Sequence, residues 1–177
     1  MDKKTIKKIK KGDKKAFRAL YDAYYPSAMR ASISMLKSES DASDAVQETF
    51  IRVFKGMHTY DDSKPFKPWF FRILTNEVRR LIQKRKQEQD IDQVARNELE
   101  QTHNPPSTDQ EILYEAMEQL KESHREALVL KYVEGFSEKE MSSILDISIS
   151  AVKSRLFQAR KLLKEELRGD LYGQQQI

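Results

Sequence analysis

Residues 147–163 read ISISAVKSRLFQARKLL. Wound as an α-helix, this segment places Val152, Leu156, Ala159 and Leu163 in one narrow stripe, at the i, i+4, i+7 and i+11 spacing of a buried helix face. Lys153, Ser154, Gln158 and Lys161 point the other way. Phe157 lies among them, roughly 130° from the stripe at about 100° per residue. Upstream, Ser137 and Glu140 form a capping-box pattern, and Met141, Ile144 and Leu145 give the helix they open an apolar side. Asp146, Ile147 and Ser148 then turn the chain, with Ser148 as the N-cap of the second helix. A short capped helix, a tight turn and a basic amphipathic helix predict a helix-turn-helix. The stripe packs on the first helix and leaves the opposite face free for a major groove, which is about one helix wide. Lys153, Ser154 and Gln158 can then bond base edges, Arg155 and Arg160 flank them where phosphates run, and Phe157 can meet a thymine methyl or a base edge. A structural helical hairpin with a solvated face gives the same pattern. Residues 149–164, however, hold five basic residues and no acid, whereas ordinary solvated faces mix signs.

The rest of the chain extends the helical pattern. Ile112, Leu113, Ala116, Met117 and Leu120 form one stripe, and Ala127, Leu128, Leu130, Tyr132 and Val133 the next, ended by Gly135. Residues 87–109 have few large apolar side chains, a Pro-Pro pair and an acidic bias; they are expected to be a linker, with some helix around residues 93–101. The first half predicts three or four helices. One carries Phe17, Leu20, Tyr21, Tyr24 and Ala28 on a single face, and the next Ala42, Ala45, Val46, Thr49, Phe50, Val53 and Met57. Pro65 and Pro68 interrupt the pattern, and Pro68 suits the first turn of a new helix. That helix is expected to bury Trp69, Phe70, Ile73 and Leu74, with Glu77 on the same side and paired to Arg80. There is no strand-like alternation, internal repeat or glycine-rich phosphate loop. The expected fold is all-α: two small helical domains, residues 1–86 and 110–177, joined by the acidic linker 87–109.

Composition narrows the function. Charged residues make up 34% of the 177 and the hydrophobic set 38%, with five glycines and five prolines. No apolar run approaches the roughly 18 residues of a membrane span, and the lysine-rich start lacks the apolar core of a signal peptide. Zero cysteines exclude disulfides and thiolate metal sites, so the expected compartment is the cytoplasm. Residues 1–15 carry a net charge of +6 and residues 72–86 of +5; residues 87–115 carry −7. Basic segments call for a polyanion, although solvated helix faces fit charge runs about as well. His58, His103 and His124 lie in different segments without metal spacing, and no catalytic constellation is present, so no enzyme activity, metal or cofactor is expected.

The basic segment of the first half puts Arg72, Thr75, Asn76, Arg79 and Gln83 on one face, with Arg80 at its edge and Phe66 and Trp69 beside a loop. Cations interleaved with aromatics suit single-stranded nucleic acid, where a stacked base is worth about 1–3 kcal/mol. Phe70, Ile73 and most of Trp69 are expected in the core. The preceding helix shows Asp44, Gln47, Glu48, Ile51, Arg52 and Lys55 on its polar side. An apolar residue inside a mixed-charge rim is what a protein-docking face looks like, although a single exposed isoleucine is common.

Three segments, DASDAVQETFIRVFK, the F-x-x-W-F-F-R-I-L-T-N run from Phe66 to Asn76, and ISAVKSRLFQARKLL, resemble bacterial sigma factors of the extracytoplasmic-function class. The resemblance runs from about Gly12 to about Leu167, with the motifs in the family's order. It implies a region 2 and a region 4 joined by a linker. It implies that Asp44, Gln47, Glu48, Ile51 and Arg52 dock on the β′ clamp helices of core RNA polymerase, with the β flap as a further contact. The loop from His58 to Pro65 would capture an everted base of the minus-10 element, with Lys64, Phe66, Trp69, Arg72, Asn76, Arg79 and Arg80 binding that strand. Ser150, Lys153, Ser154, Arg155, Phe157, Gln158 and Arg160 would bind the duplex minus-35 element. The acidic linker would thread toward the active-centre and RNA-exit channels, and an anti-sigma factor is an implied partner; no membrane insertion is. The sequence departs from the family at Arg80, where an aspartate is usual, and at Ser150 and Ala151, where Gly-Thr is usual. Two other readings stay open on the residues: a conventional helix-turn-helix regulator acting without polymerase, and a helical RNA-binding or scaffold protein.

Overall fold

The computed structural model describes residues 2–92 and 109–173, which form helices and short connections with no strand among them. The helix expected around 93–101 falls outside the described residues. Helix α1, Lys3–Lys10, is capped by Asp2, whose carboxylate accepts from the Thr5 amide at 2.6 Å. In the sequence this element is a run of charge; what folds it is the burial of Ile6 and Ile9. Asp13 caps α2, Lys14–Leu36, by accepting from the amides of Lys15 and Ala16. Ser38 caps α3, Glu39–Gly56, and a 3-10 turn at Met57–Thr59 leads through a loop to α4, Phe66–Asp92.

Helices α2, α3 and α4 bury Leu20, Val46, Phe50, Val53, Met57, Phe70 and Leu74 between them. The rings of Phe50 and Tyr24 stand 5.3 and 4.9 Å from that of Phe70. The stripe expected on α3 is buried throughout. The stripe expected on α4 is too narrow. Phe71 is as buried as Phe70, because α4 is covered on two sides, by its own bundle and by the second half of the chain.

The second half contains α5, Asp109–Glu118; α6, Glu122–Leu128; a π-helical turn, Val129–Val133; α7, Glu138–Leu145; and α8, Ile149–Gly173. The capping box at Ser137 and Glu140 forms with both of its hydrogen bonds, and Ser148 Oγ accepts from the Ala151 amide at 3.1 Å. Two predicted stripes are corrected. Leu113 is exposed, and Tyr132 and Val133 face solvent while Val129 and Glu134 turn inward. For the second stripe the π turn is the cause. The Glu134 amide donates to the Val129 carbonyl five residues back, so the extra residue rotates everything after it off the 3.6-residue register. Gly135, at φ +74°, then ends the segment.

Candidate nucleic-acid interface

Helix α8 sits on α6 and α7 through Val152, Leu156 and Ala159, all buried, with Leu163 partly so. On its outer side Lys153, Ser154, Phe157 and Gln158 are exposed, and Phe157 is 65% accessible. Ser150 is also exposed, its hydroxyl 2.9 Å from that of Ser148. The two flanking arginines differ. Arg160 stays at the surface with Nε donating to the Leu156 carbonyl at 3.2 Å. Arg155 turns inward, a guanidinium nitrogen 4.0 Å from the Glu126 carboxylate, and does not extend from the outer face.

On α4, Arg72, Asn76 and Arg80 are exposed one turn apart, whereas Thr75, expected beside them, is fully buried and bonds the Arg72 carbonyl. Arg80 donates to Glu77 at 2.8 Å, the pair expected from the sequence, and Glu77 is buried. Glu77 also holds Arg52 of α3 at 2.6 Å, so a residue expected to dock polymerase and one expected to bind DNA share a carboxylate. Lys64 is exposed. Phe66 is corrected from surface to core. It is 5% accessible and fixed among Tyr24, Tyr60 and Trp69, with centroids 5.3 to 5.5 Å away, so no face is left for a base. Trp69 is half-buried, packed on Tyr60 with the ring centroids 4.8 Å apart.

The two halves meet with one polarity. Among the described residues, the ion pairs between them take the cation from the first half and the carboxylate from the second. Arg79 meets Glu126 at 2.8 Å, Lys86 meets Glu122 at 2.9 Å, and Arg72 meets Asp146 at 3.6 Å. Lys37 meets Glu118 at 3.6 Å, and the buried Glu134 receives Ser27 at 2.6 Å, Lys67 at 3.3 Å and Arg30 at 3.5 Å. Phe71 and Phe136 make an edge contact at 5.1 Å, with the Lys67 ammonium 4.7 Å above Phe136. Burial pushes the Glu126 carboxyl above its ordinary range, and the hydrogen bond and charge of Arg79, with the charge of Arg155, offset that only in part. Between α4 and α7 remains a cleft of about 780 Å³, with Lys64, Trp69 and Arg72 on one wall and Ser143, Asp146 and Ser148 on the other.

The remaining expected face lies on α3. Asp44, Gln47 and Ile51 are exposed or partly so, and Arg52 is held by Glu48 at 3.0 Å as well as by Glu77. Ile51 opens onto a groove of about 430 Å³ between α2 and α3, lined by Phe17, Tyr21, Gln47 and Phe54. Phe54, half exposed on that rim, is not among the docking residues expected from the sequence, although a phenylalanine three residues after Ile51 was a usable signal. No described helix is long and apolar enough to cross a membrane, and no described group of His, Asp or Glu is placed to hold a metal.

A helical bundle with a basic, aromatic-flanked helix, followed by a helix-turn-helix with a free outer face, is the architecture of a two-part DNA-binding protein. The family models for sigma-70 region 2 and sigma-70 region 4 match residues 20–88 and 110–163. SigW of Bacillus subtilis, an extracytoplasmic-function sigma factor, is 31% identical over 95% of this chain and 97% of its own length. SigM of the same organism is 36% identical over 82% of this chain and 91% of its own. Among solved structures, CnrH in complex with the cytosolic domain of CnrY is 26% identical, covering 94% of this chain and 96% of that one, with a TM-score of 0.72. RpoE of Bartonella quintana, in complex with the anti-sigma factor NepR, is 28% identical, covering 87% and 98%, with a TM-score of 0.73. The chain belongs to the extracytoplasmic-function sigma factors of the sigma-70 family.

Proposed function

We propose that this sigma factor binds core RNA polymerase through α3, reads a minus-35 duplex with the outer face of α8, and holds a melted minus-10 strand on α4. The observation that carries the reading is the free outer face of α8 over residues 149–164, basic and without an acid, with Phe157 exposed at its centre. Lys153, Ser154 and Gln158 bond base edges there, and Ser150 and Arg160 reach phosphates. Lys64, Trp69, Arg72, Asn76 and Arg80 form the strand surface, joined by Arg79 once it leaves Glu126. Asp44, Gln47, Ile51 and Phe54 dock the β′ clamp helices, with Glu48 and Arg52 fixing the rim; the β flap meets residues 110–177. Residues 1–86, 87–109 and 110–177 act as two modules and a linker in this cycle. The protein performs no chemistry of its own and works in the cytoplasm, where its polymerase is. Because carboxylates of the second half occupy cations of the first, the packed arrangement is a closed form that opens when polymerase and promoter engage. CnrH and RpoE were solved with protein partners, which supports an anti-sigma factor for this chain as well.

Electrophoretic mobility shift of promoter DNA with the chain alone, with core polymerase alone and with both tests the reading. Selective binding by the combination only is expected. Tight, selective duplex binding by the chain alone would make it a conventional regulator instead.

A further inference from the structure

Helix α1 takes no part in the functions assigned so far, yet it is the most charged element of the chain. Lys3, Lys4, Lys7, Lys8 and Lys11 line one shallow surface, and none of them has an ion-pair partner among the described residues. Like charges recur at i, i+4, from Lys3 to Lys7, from Lys4 to Lys8 and from Lys7 to Lys11, and each such pair destabilises the helix. The fold nevertheless holds α1 firmly. Asp2 caps it, Ile6 and Ile9 are buried, and Lys10 alone turns inward, its Nζ donating to the Tyr60 carbonyl at 2.7 Å and pairing with Asp62 at 2.6 Å. Tyr60 in turn packs on Trp69 at 4.8 Å. One lysine and one tyrosine therefore connect the lysine face to the wall of the minus-10 surface.

We propose that the lysine face of α1 is a sequence-independent clamp for the phosphate backbone of promoter DNA, continuous with the minus-10 surface. Three observations select this partner. The face is all cationic, so its ligand is a polyanion. It adjoins the loop that precedes the strand-binding helix, so DNA held on α4 passes within reach. Among the described residues its large apolar side chains, Ile6 and Ile9, point into the protein and offer no face to a lipid headgroup layer. This inference rests on the proposed function, because the DNA it clamps is the promoter held on α4.

The test is the salt dependence of promoter binding by reconstituted holoenzyme. Combined Lys3→Gln, Lys4→Gln, Lys7→Gln and Lys8→Gln keep good helix formers and remove four charges. The slope of log K against log[salt] is expected to fall by about three, at roughly 0.7–0.9 per phosphate that the variant no longer neutralises, with roughly tenfold or greater weakening at low salt. The weakening should be equal on promoters with altered minus-10 bases, core-polymerase affinity should be unchanged, and the fourfold Lys→Arg variant should restore the wild-type slope. An unchanged slope overturns the clamp, as does a fall in core affinity, which would make the face a polymerase-binding surface. Binding of wild-type protein to phosphatidylserine vesicles, abolished in the glutamine variant while promoter binding is kept, overturns it in favour of a membrane. If wild-type holoenzyme shows no promoter preference, it is the sigma-factor assignment of these surfaces that fails; a selective wild type with an unchanged variant slope removes the clamp alone.

Discussion

Phe157 and Glu126 show how differently single residues are placed on the two sides of α8. Phe157 makes no core contact, so Phe157→Ala should change folding stability by no more than about 0.5 kcal/mol. Discrimination at one or two minus-35 base pairs should fall by about 1–3 kcal/mol each. Thermal melting together with binding to a panel of single-base promoter variants checks both; a large drop in melting temperature with unchanged preference would return the ring to the core. Glu126 is the opposite case, a carboxylate buried against an arginine from each half of the chain. Its pKa in the folded chain is raised, so the folded state holds the proton more tightly than the unfolded state does. Its contribution to stability therefore grows as the pH falls through that raised value and levels off below the unfolded one. Denaturant unfolding between about pH 7 and about pH 5 should show wild type gaining stability relative to Glu126→Gln on acidification. A difference that does not change with pH would contradict this.

At the scale of elements, α3 and α8 were legible because each has one buried stripe and one polar face at a regular 3.6-residue period. Capping residues also marked where α7 and α8 begin, at Ser137 and Ser148. Three features were not legible for specific reasons. Helix α1 reads as a charge run because only Ile6 and Ile9 carry its packing. The second stripe of the C-terminal half was lost at the π turn, which no periodicity of 3.6 can represent. Helix α4 buries two faces, so Phe71 and Thr75 could not be assigned from one amphipathic pattern, and Phe66 read as surface because its partners lie in α2 and the loop. The proposed docking face inherits this mixture. Ile51 was visible in the sequence, whereas its neighbour Phe54 needs the groove between α2 and α3 to acquire meaning. Ile51→Asp and Phe54→Asp should each weaken core-polymerase binding roughly tenfold or more, the size of an interface anchor, while leaving helicity unchanged. Equal affinity of both variants by interferometry would move the docking face elsewhere.

For the whole molecule, the decisive relation between the halves lies beyond sequence patterns, because it depends on which cation meets which carboxylate. The acidic residues that form it, Glu118, Glu122, Glu126, Glu134 and Asp146, are scattered through the second half and resemble ordinary surface charge until folded. In the packed arrangement Asp146 and Glu126 pair with Arg72 and Arg79, the cations that the proposed function assigns to phosphates. Combined Glu134→Gln and Asp146→Asn should raise the affinity of the free chain for single-stranded minus-10 DNA about tenfold, by enlarging the open fraction. Small-angle scattering should show the variant more extended; an unchanged radius and affinity would mean that these ion pairs do not restrain opening. The claim on which the rest depends is that this chain chooses promoters for polymerase. Sequencing the RNA 5′ ends made on genomic DNA by core polymerase, with and without the protein, tests it most directly. The account predicts a new set of start sites that appears only with the protein and shares a minus-10 and a minus-35 element; the same start sites with and without it would contradict the account.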